Sequence, residues 1–487
     1  MSKGPKMNKI KTEITPNDNL GIENVSTSIA LSICPIVNTV TPRAFYWVFL
    51  TWIYYDLRYL NIEQANYDAF YKHLRRQDYF FVVANLLNPE SDQFGMVGKD
   101  KATENINKNT TGMFEYDDTY FKARLGGMFY FNAGLITMNL INDHDRVTGE
   151  QYQFPHLTQK AEKIAKAFES VIKDTTYYKE YRLNDKPVPK DVLIELGKVL
   201  NIGLVGFDEV KILMRNLMFG EPTATYIKLI ESSEYLKFIN KQYNISRLDL
   251  RKCREIFFDY FSERSDNKYN YPPELKNIID QWEIVIGRQY FTLGIESIWK
   301  YMLENLSVAK DEIKWISDCI NESNFDINIE DELKSLTSNC YYDFQAREGM
   351  ISECRRGSNK NVQFGIQIIL SIYNRFKDRT YEDSETESYI YEGEESDSIS
   401  LKQLINKVDE YKNKTIKEFI SYVMLNWIIR QHERTAFSKL LRGNNGYYIE
   451  KFDGKYLRKA IISLDFQGIK MVQLMQIMKD LDMLEVE

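Results

Sequence analysis

Residues 44–55 read Ala-Phe-Tyr-Trp-Val-Phe-Leu-Thr-Trp-Ile-Tyr-Tyr, with Thr51 the only small polar side chain before Asp56 and Arg58 end the run. A helix built from it has no polar face, so it must be enclosed by other elements. It is also too short for a bilayer, whose crossing takes about 20 apolar residues. Thr41-Pro42 supplies an N-cap followed by a first helical proline, and the pattern predicts a buried central helix over residues 43–60.

The rest of the chain suits the same architecture. Only 11 Pro and 23 Gly punctuate 487 residues, while 33 Tyr lift the aromatic fraction to 14%; few breakers and many large side chains favour long packed helices. Helical periodicity predicts further helices over 62–87, 116–140 with close packing at Gly126-Gly127, 157–168 onward, from Asp191, 207–218, 223–239, 247–262, 273–306, 309–321, 401–441 and 468–484, and a loop over 89–112. Gly446 to Arg458 brackets Asp453-Gly454 with alternating segments, the strongest hairpin signal in the chain. The expected fold is mainly α, multi-domain, with a small C-terminal β-hairpin that is winged-helix-like at most. Expected divisions are a flexible 1–25, a helical 26–150, a central helical 151–380, an acidic linker or loop at 381–400 and a C-terminal helical 401–487 with the hairpin. No 34- or 40-residue repeat is present.

A net charge of -7 with 27% charged residues keeps the chain soluble and confines any nucleic-acid affinity to a local basic patch. The five cysteines, Cys34, Cys253, Cys319, Cys340 and Cys354, are scattered without a C-x-x-C pair, which fits a reducing cytoplasm. Lys3, Lys6, Lys9 and Lys11 precede no apolar stretch, so no secretory signal or membrane association is expected. Between residues 382 and 397 stand eight acidic residues and no Lys or Arg; such a block repels itself and predicts a solvated linker, with an acidic lure for a basic surface as the sharper reading.

Familiar catalytic signatures fail one by one. Residues 94–100, Phe-Gly-Met-Val-Gly-Lys-Asp, suggest a phosphate loop, but Gln93 replaces its first glycine and Asp100 its magnesium-binding hydroxyl. Only Lys99 and Lys101 remain there as exposed cations for an anion. Asp143, His144 and Asp145, joined by the distant His73, form the one candidate metal-dependent nuclease or phosphohydrolase set, since such chemistry needs ligands converging from several elements. The same residues suit a polar turn that ends a helix. Glu450-Lys451 lacks the spacing of a restriction-type nuclease, and no serine nucleophile elbow appears. No cofactor and no structural metal are expected.

The C-terminal region differs. From Trp427 to Lys470, nine Lys or Arg face four Asp or Glu, a local +5 by 9 minus 4. Arg430, His432, Arg434, Lys439 and Arg442 come from one predicted helix, and Lys451, Lys455, Arg458 and Lys459 from the hairpin; a helix and a wing can contact a groove and its flanking phosphates. A plain solvated helix face beside a hairpin is the competing reading. Arg347, Arg355, Arg356 and Lys360 could extend the surface.

Thr41-Pro42-Arg43 with the aromatic helix, the Gly95 to Ala102 loop, Tyr120 to Leu135, and Arg430-Gln431-His432-Glu433-Arg434 with Lys439-Leu440 resemble a loosely defined set of uncharacterised bacterial proteins encoded in anti-phage defence loci beside ATPases or nucleases. The resemblance covers the two ends of the chain and carries no catalytic residue. It implies a subunit of a multi-component defence complex, with ATPase or nuclease subunits of the same locus as partners. The expected role is a non-catalytic scaffold or sensor that binds protein and, through the C-terminal basic residues, nucleic acid; a metal-dependent enzyme and a stand-alone DNA-binding module are the alternatives.

Overall fold

The computed structural model describes residues 18–484 apart from 38–42, 60–66, 118–119, 121–131, 145–147, 221, 224, 244–271, 322–324, 339–351, 353, 355–359, 395–397 and 465–467. The elements run α1 (Glu23–Ile33), α2 (Phe45–Asp56), α3 (Tyr67–Leu87), α4 (Lys99–Lys108), β1 (Met113–Phe114), α5 (Asn132–Thr137), β2 (Ile141–His144), β3 (Gln151–Leu157) and α6 (Gln159–Ile172). A π-helical turn at Tyr177–Tyr181 precedes β4 (Val188–Pro189), α7 (Lys190–Val199), α8 (Asp208–Phe219) and α9 (Ile227–Tyr243). There follow α10 (Lys276–Asn305), β5 (Lys310–Asp311), α11 (Glu312–Ile320), α12 (Ile329–Ser338), α13 (Lys360–Phe376), α14 (Ser384–Tyr391), α15 (Leu401–Tyr411) and α16 (Ile416–Tyr422). A second π-helical segment, Val423–Ile429, leads into α17 (Arg430–Leu441), and β6 (Ile449–Phe452), β7 (Lys455–Arg458) and α18 (Lys470–Asp480) end the chain. The protein is mainly helical with small antiparallel sheets.

The chain divides into two units, and each takes one terminus from the far end of the sequence. One comprises Leu31–Leu250 with Ile469–Glu487, the other Arg251–Gly468 with Met1–Ala30. These units do not follow the boundaries expected at 150 and 380. The sequence offered no signal for them, because the deciding contacts link segments more than 400 residues apart.

In the N-terminal unit every residue of α2 is buried, as a helix without a polar face requires. Phe45 stacks on Phe81 of α3 at 4.3 Å, and Phe168 of α6 lies 5.5 Å from Trp52. Gly197 of α7 lets that helix touch α3: a Cβ there would lie 2.1 Å from the Ala84 carbonyl oxygen. Arg43, just ahead of α2, is 1% exposed and binds Asp92 at 2.7 Å and Asp480 of α18 at 2.9 Å. The C-terminal helix is thereby tied to its unit by a buried ion pair, whose loss of one partner would strand the other charge.

The C-terminal unit is built around α10, thirty residues long and buried from Ile278 to Leu303. It meets α13 at a crossing that only glycine permits, since a Cβ on Gly365 would lie 2.5 Å from the Gly294 carbonyl oxygen and one on Gly287 would lie 2.5 Å from the Phe376 ring. Glu283, buried in α10, is held by Arg375 at 2.6 Å and Arg379 at 3.3 Å.

Several expectations are corrected. Residues 99–108 of the expected loop form α4, whose N-cap Gly98 sits at φ 80°. The Val97 amide there donates to the Tyr46 hydroxyl at 2.7 Å, and Lys101 donates to the Tyr120 carbonyl, so this loop is tied up within the fold and is no phosphate cradle. Residues 141–144 are a strand paired with β3 and not a helix-ending turn. The acidic block is not a bare linker: Asp383 caps α14, and Thr386, Tyr389 and Ile390 bury one face of it. Spacing of i, i+3, i+4 outweighs charge repulsion because the carboxylates fall on the solvent side. Thr41-Pro42, Gly126-Gly127 and the helix expected at 247–262 lie outside the described residues.

Candidate nucleic-acid interface

The helix expected over 401–441 is four pieces: α15 and, after a break at 412–415, α16, the π-helical segment and α17 in series. A capping box joins Thr415 and Glu418 at the start of α16, which satisfies two first-turn donors reciprocally. The π-helical stretch 423–429 then inserts a wide turn, a feature that shifts the helical register of everything after it. Beyond it α17 buries Gln431, His432 and Ala436, while Arg430, Arg434, Phe437 and Leu441 recur at i, i+4, i+7 and i+11 along the other side. Phe437 is 56% and Leu441 73% exposed, so that outer stripe carries two cations in its first half and two large apolar groups in its second.

His432 locks the inner face. The Tyr448 amide donates to its Nε2 at 3.1 Å, and its Nδ1 faces the Asn19 carbonyl at 3.1 Å, an arrangement that requires the neutral tautomer protonated on Nδ1. Its ring packs 5.3 Å from that of Trp299. Burial pushes its pKa down to about 4, because no solvent is available for an imidazolium. Lys439, half-buried, donates to the Asp18 carbonyl at 2.8 Å, and Gly21 at φ 71° approaches Thr435 so closely that a Cβ would lie 3.0 Å from its hydroxyl. Residues 18–21 are in this way strapped to α17.

The hairpin forms as expected, with Asp453 at φ 49° and Gly454 at φ 72°, the double positive-φ turn that matches strand twist. It gains a third strand when β5 pairs with β7 through Lys310 and Tyr456. Alternation then sorts its side chains. Tyr456 is buried, 5.6 Å from the Trp315 ring, and its hydroxyl donates to Glu433 at 2.8 Å. On the opposite face Phe452, Lys455 and Leu457 are exposed, Phe452 to 73%.

This geometry separates the predicted cations. Arg430 is bound to Glu312 at 2.8 Å and Glu433 at 3.0 Å. Arg458 donates to the carbonyls of Leu303 at 3.0 Å and Glu304 at 3.3 Å, where it caps the C-terminus of α10. Lys459 pairs with Glu450. Lys451 lies 5.0 Å over the Tyr456 ring and is exposed. Among the described residues Arg434 bonds the Gln431 amide oxygen, and neither it nor Arg442 nor Lys455 has a carboxylate partner there. Arg347, Arg355 and Arg356 lie outside the described residues. A cleft of about 710 Å³ adjoins the start of α17; Lys407 is matched there by Glu410 and Arg430 by Glu433, and Glu394 and Arg434 line it too.

Among the described residues no three His, Cys, Asp or Glu side chains converge, and of the alternative metal set only the side chains of His73 and His144 are among them. His73 is buried in α3 with Nε2 3.2 Å from Asp56, whose other oxygen binds Arg182. His144 is exposed on β2, and Asp145 and the side chain of Asp143 lie outside the described residues. No helix among the described residues is long and apolar enough to cross a membrane. The exposed Phe437, Leu441 and Phe452 were missed in the sequence, although the i, i+4, i+7, i+11 stripe from Arg430 was there to be read. No family model, no curated protein and no solved structure matches the chain.

Proposed function

We propose that this chain is a non-catalytic binding subunit of a multi-component assembly, in the anti-phage defence setting that the resemblance implies, and that its C-terminal module contacts single-stranded nucleic acid. The observation that carries this reading is the interleaving of exposed cations with exposed rings. Arg434 and, just past the end of α17, Arg442 flank Phe437 and Leu441, while Lys455 stands opposite Phe452 on the exposed face of the hairpin. Cations follow a phosphate backbone, and aromatic rings offer bases a stacking platform, worth about 1–3 kcal/mol per base.

A single strand suits this module better than a duplex. Groove reading needs a recognition helix whose cations reach base edges, and two cations of the module, Arg430 and Arg458, are committed to Glu312, Glu433 and the end of α10. Partner subunits of ATPase or nuclease type would supply the chemistry of the assembly.

The test is fluorescence anisotropy of the full chain with labelled single-stranded DNA, single-stranded RNA and duplex DNA of equal length. The proposal expects single strands to bind more tightly, with affinity falling as salt rises. Equal or tighter duplex binding would favour the stand-alone DNA-binding alternative, and metal-dependent cleavage of any of these substrates would favour the enzyme.

A further inference from the structure

The N-terminal unit holds a cleft of about 870 Å³ that none of the preceding functional reading uses. Its walls come from the α5–β2 turn, the first turns of α6, one face of α8 and the entry to α9. Leu213, Asn216, Leu217 and Gly220 line it from α8, the i, i+3, i+4, i+7 pattern of one helix face. Two hydrogen bonds fix its frame. The Thr158 hydroxyl, capping α6, donates to the Asn139 carbonyl at 2.9 Å, and the Tyr226 hydroxyl donates to the Thr137 carbonyl at 3.2 Å. Met138 and Ile164 form a buried floor, 1% and 2% exposed.

Charge makes this cleft unlike the one beside α17. Lys160 and Lys163 stand on its rim, and no carboxylate lines it among the described residues. Glu162 lies between them in sequence but pairs with Lys166 one turn on, so the i, i+4 geometry that neutralises Lys166 leaves the other two unmatched among the described residues. Two exposed ammonium groups over an apolar floor, with amides and hydroxyls from Asn139, Asn216, Thr223 and Thr225, call for an amphipathic dianion. The volume falls within the range of small-molecule sites, about 300–1,000 Å³, and is far more than inorganic phosphate fills.

We infer that this cleft binds a nucleoside phosphate, with Lys160 and Lys163 on the phosphates and the base against the apolar floor between α6 and α8. Asn139 and Asn216 are among the lining residues, and their amides are groups that can hydrogen-bond a base edge.

Isothermal titration of the full chain with ADP, adenosine and pyrophosphate tests the assignment. ADP is expected to bind at least about tenfold more tightly than either fragment, and Lys160→Met with Lys163→Met to weaken it by about a hundredfold, one factor of ten for each lost charge contact of about 1.4 kcal/mol. Lys166→Met, outside the cleft, is expected to leave ADP affinity unchanged, with all variants melting like the parent. Absence of ADP binding at millimolar concentration, binding that survives the double substitution, or pyrophosphate binding as tight as ADP would overturn the inference.

Discussion

Two clusters of basic residues behave in opposite ways. The C-terminal cluster stands out in the sequence, yet Arg430, Lys439, Arg458 and Lys459 are spent on Glu312, Glu433, Asp18, the end of α10 and Glu450. Lys160 and Lys163 of α6 sit in an ordinary alternation of charges, yet among the described residues they remain unmatched above a cleft. Charge counted along a chain therefore measures what is present, while availability depends on which carboxylates and carbonyls the fold brings alongside. The cations that remain available in the C-terminal module, Arg434, Arg442, Lys451 and Lys455, are a subset that no sequence count distinguishes.

This contrast can be broken at the structural end first. His432→Ala removes a buried ring from beside Trp299 and leaves the Tyr448 amide and the Asn19 carbonyl unpaired. A loss of about 3 kcal/mol in unfolding free energy is expected by urea denaturation, with nucleic-acid binding lost only as far as the module unfolds. The same residue sets a pH dependence. Its folded pKa of about 4 lies below the unfolded value of about 6.5, so the unfolded state takes up the proton first. The contribution of His432 is complete above about pH 6.5 and declines as pH falls toward 4, by up to about 3 kcal/mol. Urea midpoints at pH 7 and pH 4.5 should differ more in the parent than in His432→Gln.

Next comes the ring that the stacking account needs. Phe437→Ala is expected to weaken single-strand binding by about 1–3 kcal/mol while leaving the melting temperature within a degree or two, since Phe437 is 56% exposed. Weakened binding accompanied by a fall in melting temperature would instead assign Phe437 to packing. Arg458→Met should do the reverse, costing about 1–2 kcal/mol of stability through the uncapped carbonyls of Leu303 and Glu304 with little change in affinity.

How much was legible follows the same division. Local signals survived folding: the fully apolar run became the buried α2, Asp453-Gly454 became the hairpin turn, and most of the helices expected between 157 and 321 appear among the described residues close to their expected positions. Non-local facts did not. Nothing in residues 469–487 announces that Asp480 will close on Arg43, and nothing near Tyr456 announces that β5 will join its sheet. The helix α14 lay hidden under an acidic composition whose one buried face consists of Thr386, Tyr389 and Ile390. At the candidate site, the basic helix and hairpin were readable, but the sorting of their cations was not, because it depends on Glu312 and on the carbonyl end of α10. Those partners lie more than a hundred residues upstream.

The smallest expected effects are individual charges. Arg442→Gln and Lys455→Gln should each reduce the slope of log affinity against log salt by about 1, with stability unchanged within about 0.5 kcal/mol.

The most direct test sets two triple variants side by side in single-strand anisotropy and urea denaturation. Arg434→Gln, Arg442→Gln and Lys455→Gln together should abolish most binding and leave stability intact, whereas Arg430→Gln, Lys439→Gln and Arg458→Gln should lower stability and leave the salt slope of the folded fraction unchanged. Equal loss of binding in both variants, or retention of binding in the first, would contradict the account.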